Sequence, residues 1–220
     1  MVGKKPNQVT TVDKYEYEFG ERDNGTSYTS KIVTVLDGVR TETVYNACCG
    51  KPLSIVQDGK VTKFDYYANG LLKSKISPSG EKVELSYQNT FNKVSKVIQS
   101  NPDLKQAPDT TEFKYDANGN LSYAFNKTKK ISVQLFYDTK GRIRQLQDQG
   151  GRKISFDYNE LGKPTKISLE GTGSIVVSYN AAGEITNVKS TAGRQIAVDV
   201  TAAFQSLLDI IRPAGVSLNI

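Results

Sequence analysis

Seven tyrosines stand in near-constant register, and that register limits what this chain can fold into more than any other feature. They are Tyr45, Tyr66, Tyr87, Tyr115, Tyr137, Tyr158 and Tyr179, separated by 21, 21, 28, 22, 21 and 21 residues. Most are followed by Asp or Asn, two variable residues and Gly. The copies are DYYANG (65–70), KYDANG (114–119), FYDTKG (136–141), DYNELG (157–162) and SYNAAG (178–183), with VYNACCG (44–50) and SYQNTFN (86–92) as variants. A fixed short period marks a repeat architecture, in which each unit buries its apolar face only by stacking on its neighbours. An eighth register falls at Val200, where IAVDV (196–200) continues the alternation without a tyrosine.

Each period reads as a β-hairpin. Before the turn every second residue is apolar, as in Ile154, Phe156 and Tyr158, or Ile175, Val177 and Tyr179. Period two places such side chains on one face of a strand. After the glycine, apolar residues recur two and five places on, as in Ile143 and Leu146 or Ile185 and Val188. That uneven step predicts a bulge in the return strand. Asp116, Asp138, Asn159 and Asn180 suit the turn because their side chains bond backbone N–H groups two residues on. Gly50, Gly70, Gly119, Gly141, Gly162 and Gly183 close the turns, a position that requires positive φ. Asn92 takes the glycine's place in one copy and is the next most tolerant residue there.

Turn signals also mark the joints between hairpins: Asp58-Gly59, Ser77-Pro78-Ser79-Gly80, Gly150-Gly151 and Ala192-Gly193. The 28-residue interval contains QSNPDLKQAPDTT (99–111), read as a surface loop. Residues 1–40 are expected to form a divergent N-terminal hairpin or cap, 41–200 the repeat array, and 201–220 a C-terminal capping helix and tail. In TAAFQSLLDII (201–211), Phe204, Leu207, Leu208 and Ile211 fall at helical spacing, with Thr201 as the cap and Pro213 as the stop. A repeat array ends in open strand edges, and a helix of this kind is expected to dock on the last hairpins, either across the open end as a cap or against the concave face as a plug. The fold class is therefore all-β: about sixteen strands in one curved antiparallel sheet, with a short C-terminal helix.

Composition removes most chemistries. There is no histidine among the 220 residues. The usual general base and zinc ligand are thereby absent, as is every Ser-His or Cys-His arrangement. The net charge of +6 is spread among interspersed Lys, Asp and Glu, which describes a solvated β surface rather than a nucleic-acid groove. The recurring turn acids interchange with Asn, which a catalytic carboxylate cannot do. No stretch has the length and apolarity of a membrane-spanning helix. The opening MVGKKPNQVTT lacks the apolar core of a signal peptide. No catalytic residue, metal site or cofactor is expected.

YDANGNL (115–121) and YDTKGRI (137–143), within seven copies in register, resemble the YD repeats of the Rhs and teneurin group over about residues 41–200. The resemblance implies successive hairpins in one sheet that curls into a spiral. In long members the spiral closes into a hollow shell, which in bacterial toxins encloses a C-terminal effector. This array is much shorter and lacks the core segment that follows the repeats in toxin-type members, so an open sheet or partial shell is implied. The resemblance also implies export: a periplasmic, cell-surface or secreted protein.

The expected function is a non-catalytic structural or recognition scaffold. The alternatives are a partial shell shielding a partner polypeptide and a carbohydrate-binding module, either partner lying on the concave face. The tyrosine rings offer stacking surfaces to a sugar, but their fixed register with the turn suits packing of each ring on the next hairpin. Cys48 and Cys49 occupy variable positions of their turn. Two free thiols or a vicinal disulfide are open to them, whereas a metal would need further ligands.

Overall fold

The computed structural model describes residues 12–88, 90–102, 106–193 and 195–211. Sixteen strands and one helix follow in chain order. The strands are β1 (Val12–Glu21), β2 (Ser27–Leu36), β3 (Val39–Tyr45), β4 (Pro52–Gln57), β5 (Lys60–Tyr66), β6 (Leu72–Ile76), β7 (Lys82–Tyr87) and β8 (Val94–Ser100). They continue as β9 (Asp109–Tyr115), β10 (Leu121–Asn126), β11 (Ile131–Tyr137), β12 (Ile143–Asp148), β13 (Lys153–Tyr158), β14 (Pro164–Leu169), β15 (Gly173–Tyr179) and β16 (Ile185–Ser190), followed by α1 (Gln195–Ile211). The strands lie in one sheet in sequence order, so β1 and β16 each have a single neighbour. Every repeat tyrosine is the last residue of an odd-numbered strand, from β3 to β15.

The expected bulge is present on the return strands. Phe136 faces Gln145 while Tyr137 faces Ile143, so Arg144 is the extra residue. The same shift precedes Tyr45, Tyr66, Tyr158 and Tyr179. Two joints are tight two-residue turns with both φ angles positive: Asp37-Gly38 (49° and 77°) and Asp58-Gly59 (48° and 74°). This mirror-image geometry matches the twist of the flanking strands.

The chain divides into two compact units. One comprises the residues up to Leu85 with Gln99–Gln106, the other Ser86–Ile98 with the residues from Ala107 onward. Among the described residues of the first unit Val33 and Leu85 are the buried apolar ones, and Tyr15, Tyr17 and Phe19 on β1 stay more than half exposed. The second unit holds a denser core. Ala124 pairs with Phe113 and Val133, Leu135 with Leu146, Leu146 with Ile154, and Ile154 with Leu169. These buried residues form one apolar row across six strands, β9 to β14.

Helix α1 lies on that row, touching β10, β11, β14 and β15. Its length of about 25 Å, at 1.5 Å per residue, matches the roughly 24 Å from β10 to β15. It buries Ile196, Val200, Ala203, Ile210 and Ile211. Two expectations change. The helix begins at Gln195, so Thr201 is not its cap and IAVDV is not a strand. Ile196 and Val200 satisfy both the two-residue and the helical period, and a five-residue window cannot separate them. Val198, which a strand would bury beside them, is 60% exposed. Of the two docking places the helix takes the sheet face and leaves the terminal strand uncovered, since every residue of β16 is exposed. The side chains of Phe204, Leu207 and Leu208, and Pro213, lie outside the described residues.

Candidate functional site

The turn ends of the hairpins hold the repeated chemistry. In each five-residue turn the Asp or Asn after the tyrosine works as an internal template. Asp116 Oδ1 accepts the backbone N–H of Asn118 (2.9 Å) and of Asn120 (2.8 Å). Asp138 Oδ1 accepts Lys140 N–H and Arg142 N–H, both at 2.9 Å. Asn159 and Asn180 accept only the second of these, from Lys163 and Glu184. A neutral amide suffices because one oxygen does the accepting. At Asp138 the hydrogen bonds from Arg142 hold the carboxyl below its usual range. Asp116 is also lowered, where hydrogen bonds from Asn120 and its neighbours outweigh the cost of burial. The closing residues have the expected positive φ: Gly119 82°, Gly141 76°, Gly162 77°, Gly183 78° and Asn92 52°, with Gly50 at 61° and Gly70 at 80°.

The tyrosines lean backwards, onto the preceding hairpin rather than the next. Tyr66 donates to Pro52 O (2.9 Å), Tyr115 to Val94 O (2.7 Å), Tyr137 to Leu121 O (2.8 Å), Tyr158 to Ile143 O (2.7 Å) and Tyr179 to Pro164 O (2.8 Å). Each acceptor lies two residues past a turn glycine, or past Asn92. The pairing between hairpins explains the direction. The ladder from β10 to β11 starts at Tyr123, that from β12 to β13 at Gln145, and that from β14 to β15 at Lys166. Leu121, Ile143 and Pro164 lie just beyond it, outside the pairing with the next strand. The phenol supplies the missing donor, as the pairing of buried backbone groups requires. Burial raises the phenol pKa at Tyr66 and Tyr158, and to about 12 at Tyr115 and Tyr137. Tyr45 and Tyr87 occupy the same register, both half-buried.

A second device was not read from the sequence. Where the residue after the turn glycine or Asn92 is basic, its side chain reaches the next turn. The Lys51 ammonium lies 5.5 Å from the Tyr66 ring and bonds Gly70 O. Lys93 lies 5.5 Å from Tyr115 and bonds Gly119 O at 2.7 Å. Arg142 lies 4.5 Å from Tyr158 and donates to Asn159 O at 3.3 Å. Lys163 lies 5.4 Å from Tyr179 and bonds Gly183 O. The signal was present, since Lys or Arg holds this position in four of the seven copies. The other copies carry Leu71, Asn120 and Glu184. Tyrosine and cation together seal the joint between neighbouring turns.

Beside these joints the second unit has an open groove of about 480 Å³ lined by Gln88, Phe91, Phe113, Tyr115 and Asp116, among others. Thr90 N–H donates to Gln88 Oε1 at 2.7 Å, while Gln88 Nε2 is buried without a hydrogen-bond partner. Cys48 and Cys49 are free and exposed. Their turn is one residue longer than most of its sisters: three residues separate Asn46 from Gly50, as they do Gln88 from Asn92, where two separate Asp116 from Gly119. Among the described residues no group of three or more His, Cys, Asp or Glu is placed to hold a metal, and no helix is long and apolar enough to cross a membrane.

Residues 109–215 match the family model described as the teneurin YD-shell. No curated protein matches the chain. Among solved structures, the crystal structure of TcdB2-TccC3-TEV is similar with a TM-score of 0.61 at 15% identity, over 81% of this chain and 10% of that one. The crystal structure of TcdB2-TccC3-Cdc42 gives 0.58 at 11% identity, over 84% and 11%. The Tc holotoxin pore of Photorhabdus luminescens gives 0.57 at 10% identity, over 84% and 11%. This chain thus spans about a tenth of the length of those chains. At such identities the likeness is one of fold.

Proposed function

We propose that this chain, a YD-repeat protein, is a non-catalytic scaffold whose repeat face shields a polypeptide, as part of the wall of a shell. One observation carries the reading: the apolar row of the second unit holds an amphipathic segment, α1, laid across its strands. A face that accepts one such helix has the width and apolarity to accept others of its kind. The sealed joints suit a wall, because tyrosine hydroxyls and cations tie one turn to its neighbour at several joints. The YD-shell match and the toxin-complex neighbours support the same reading. They also support export from the cell, as in secreted toxin complexes.

The test uses reduced, carboxymethylated α-lactalbumin as an unfolded polypeptide. The full chain, added in excess, is expected to slow its proteolysis several-fold, and Val188→Asp on the exposed strand β16 weakens the effect. Proteolysis at the same rate with and without the chain overturns the reading. A carbohydrate partner is the second reading, supported by the groove in which Phe91 and Tyr115 flank the unpaired amide of Gln88. A glycan array on the native chain and on Gln88→Leu tests it, and loss of a specific signal in the variant is the supporting result.

A further inference from the structure

We propose that Cys48 and Cys49 are a redox-reactive dithiol that exchanges with small disulfides and closes on itself as a vicinal disulfide. The inference is independent of the shell reading.

The thiols sit in the lengthened turn between β3 and β4, closed by the hydrogen bond from Asn46 N–H to Lys51 O at 2.9 Å. Both are exposed, on adjacent residues of one turn. Asn46 forms a cradle for one of them. Its amide nitrogen lies 3.4 Å from Cys49 Sγ, its carbonyl oxygen 3.5 Å from the same sulfur, and that oxygen also accepts Cys49 N–H at 3.3 Å. The Lys51 cation acts on both sulfurs. The pair is therefore asymmetric. The hydrogen bond from Cys48 lowers the Cys49 thiol, and the same bond raises the Cys48 thiol. An exposed, acidified thiol beside a protonated one is the arrangement of a nucleophile with its resolving partner.

The exchange balances without a further reagent. The Cys49 thiolate attacks one sulfur of a small disulfide RSSR, forming Cys49–S–S–R and releasing RS⁻. Cys48 Sγ then attacks Cys49 Sγ, breaking the bond to SR. The second RS⁻ leaves and takes the Cys48 proton. The dithiol is oxidised by two electrons and the small disulfide is reduced to two thiols. Adjacent Cα atoms are about 3.8 Å apart, closer than the roughly 4.4–6.8 Å of ordinary disulfides, so the ring is strained and readily reopened.

The full chain is reduced, freed of reductant and treated with oxidised glutathione, with acid-quenched samples read by mass spectrometry. The native chain is expected to pass through a single glutathione adduct and end lighter by two hydrogen atoms, with no adduct left. Excess reduced glutathione then restores the starting mass. Cys48→Ser is expected to stop at one stable adduct, and Cys49→Ser to react about tenfold more slowly than Cys48→Ser. Stable adducts on both cysteines of the native chain overturn the proposal. So do equal rates for the two variants, disulfide-linked dimers as the main product, or no reaction.

Discussion

Gly141 and Gly173 show how differently two glycines constrain the chain. Gly141 has φ 76° with open space where a Cβ would stand, so Gly141→Val costs backbone strain alone. The expected loss is about 1–3 kcal/mol in a urea melt. At Gly173 a Cβ would meet Thr191 Oγ1 at 2.8 Å and Ile196 Cδ1 at 3.1 Å, which disturbs the first turn of α1. Gly173→Ala is therefore expected to reduce helical circular dichroism as well as melting temperature, whereas Gly141→Val leaves the helix signal unchanged. The tyrosines give a pH prediction. Tyr115 and Tyr137 hold their protons to about pH 12 in the folded chain, mainly through burial. An unfolded tyrosine ionises near pH 10. Between these values the unfolded state binds fewer protons, so stability falls as pH rises. Phenolate absorbance is expected to show most tyrosines ionising first, and these two only near pH 12 or on unfolding.

The hairpin is the scale at which most of the design was legible. Turn residues, bulge and strand alternation are local consequences of Tyr-Asp/Asn-x-x-Gly and its flanks, so the sequence predicts them directly. What the hairpin does to its neighbours was not legible. The tyrosine ring is present in the pattern, but its direction depends on which carbonyl the ladder leaves unpaired. The cation after the glycine reads as surface charge until the next turn is beside it. Arg142 has the fullest set of such contacts, adding Asp138 Oδ2 at 2.6–2.7 Å to its place on Tyr158. Arg142→Met is expected to cost about 1–2 kcal/mol. Lys163→Met, which loses one ring contact and one carbonyl bond, is expected to cost less in the same melt.

Across the molecule, α1 has the largest single effect on the second unit. Burying Ile196, Val200, Ile210 and Ile211 contributes roughly 6–10 kcal/mol before the entropy of ordering the helix. That rivals the net stability of a whole domain. Deleting residues 195–220 uncovers the part of the apolar row on which α1 lies and is expected to cause aggregation or a large fall in melting temperature. A truncated chain that stays monomeric with unchanged melting argues against the docked helix.

The repeat period, the hairpins, the turn chemistry and the all-β class were determined by the sequence alone, because each follows from contacts within about twenty residues. Tertiary structure decided where the helix begins, since IAVDV satisfies strand and helix alike until Ile196 seats against Gly173. It also decided that the helix crosses the sheet face and leaves β16 bare. The apolar row is continuous over six strands, whereas the edge of β16 offers only backbone groups and two exposed aliphatics, Ile185 and Val188. An amphipathic helix buries more of its stripe on the row than on an edge, and no periodicity in the chain records that difference.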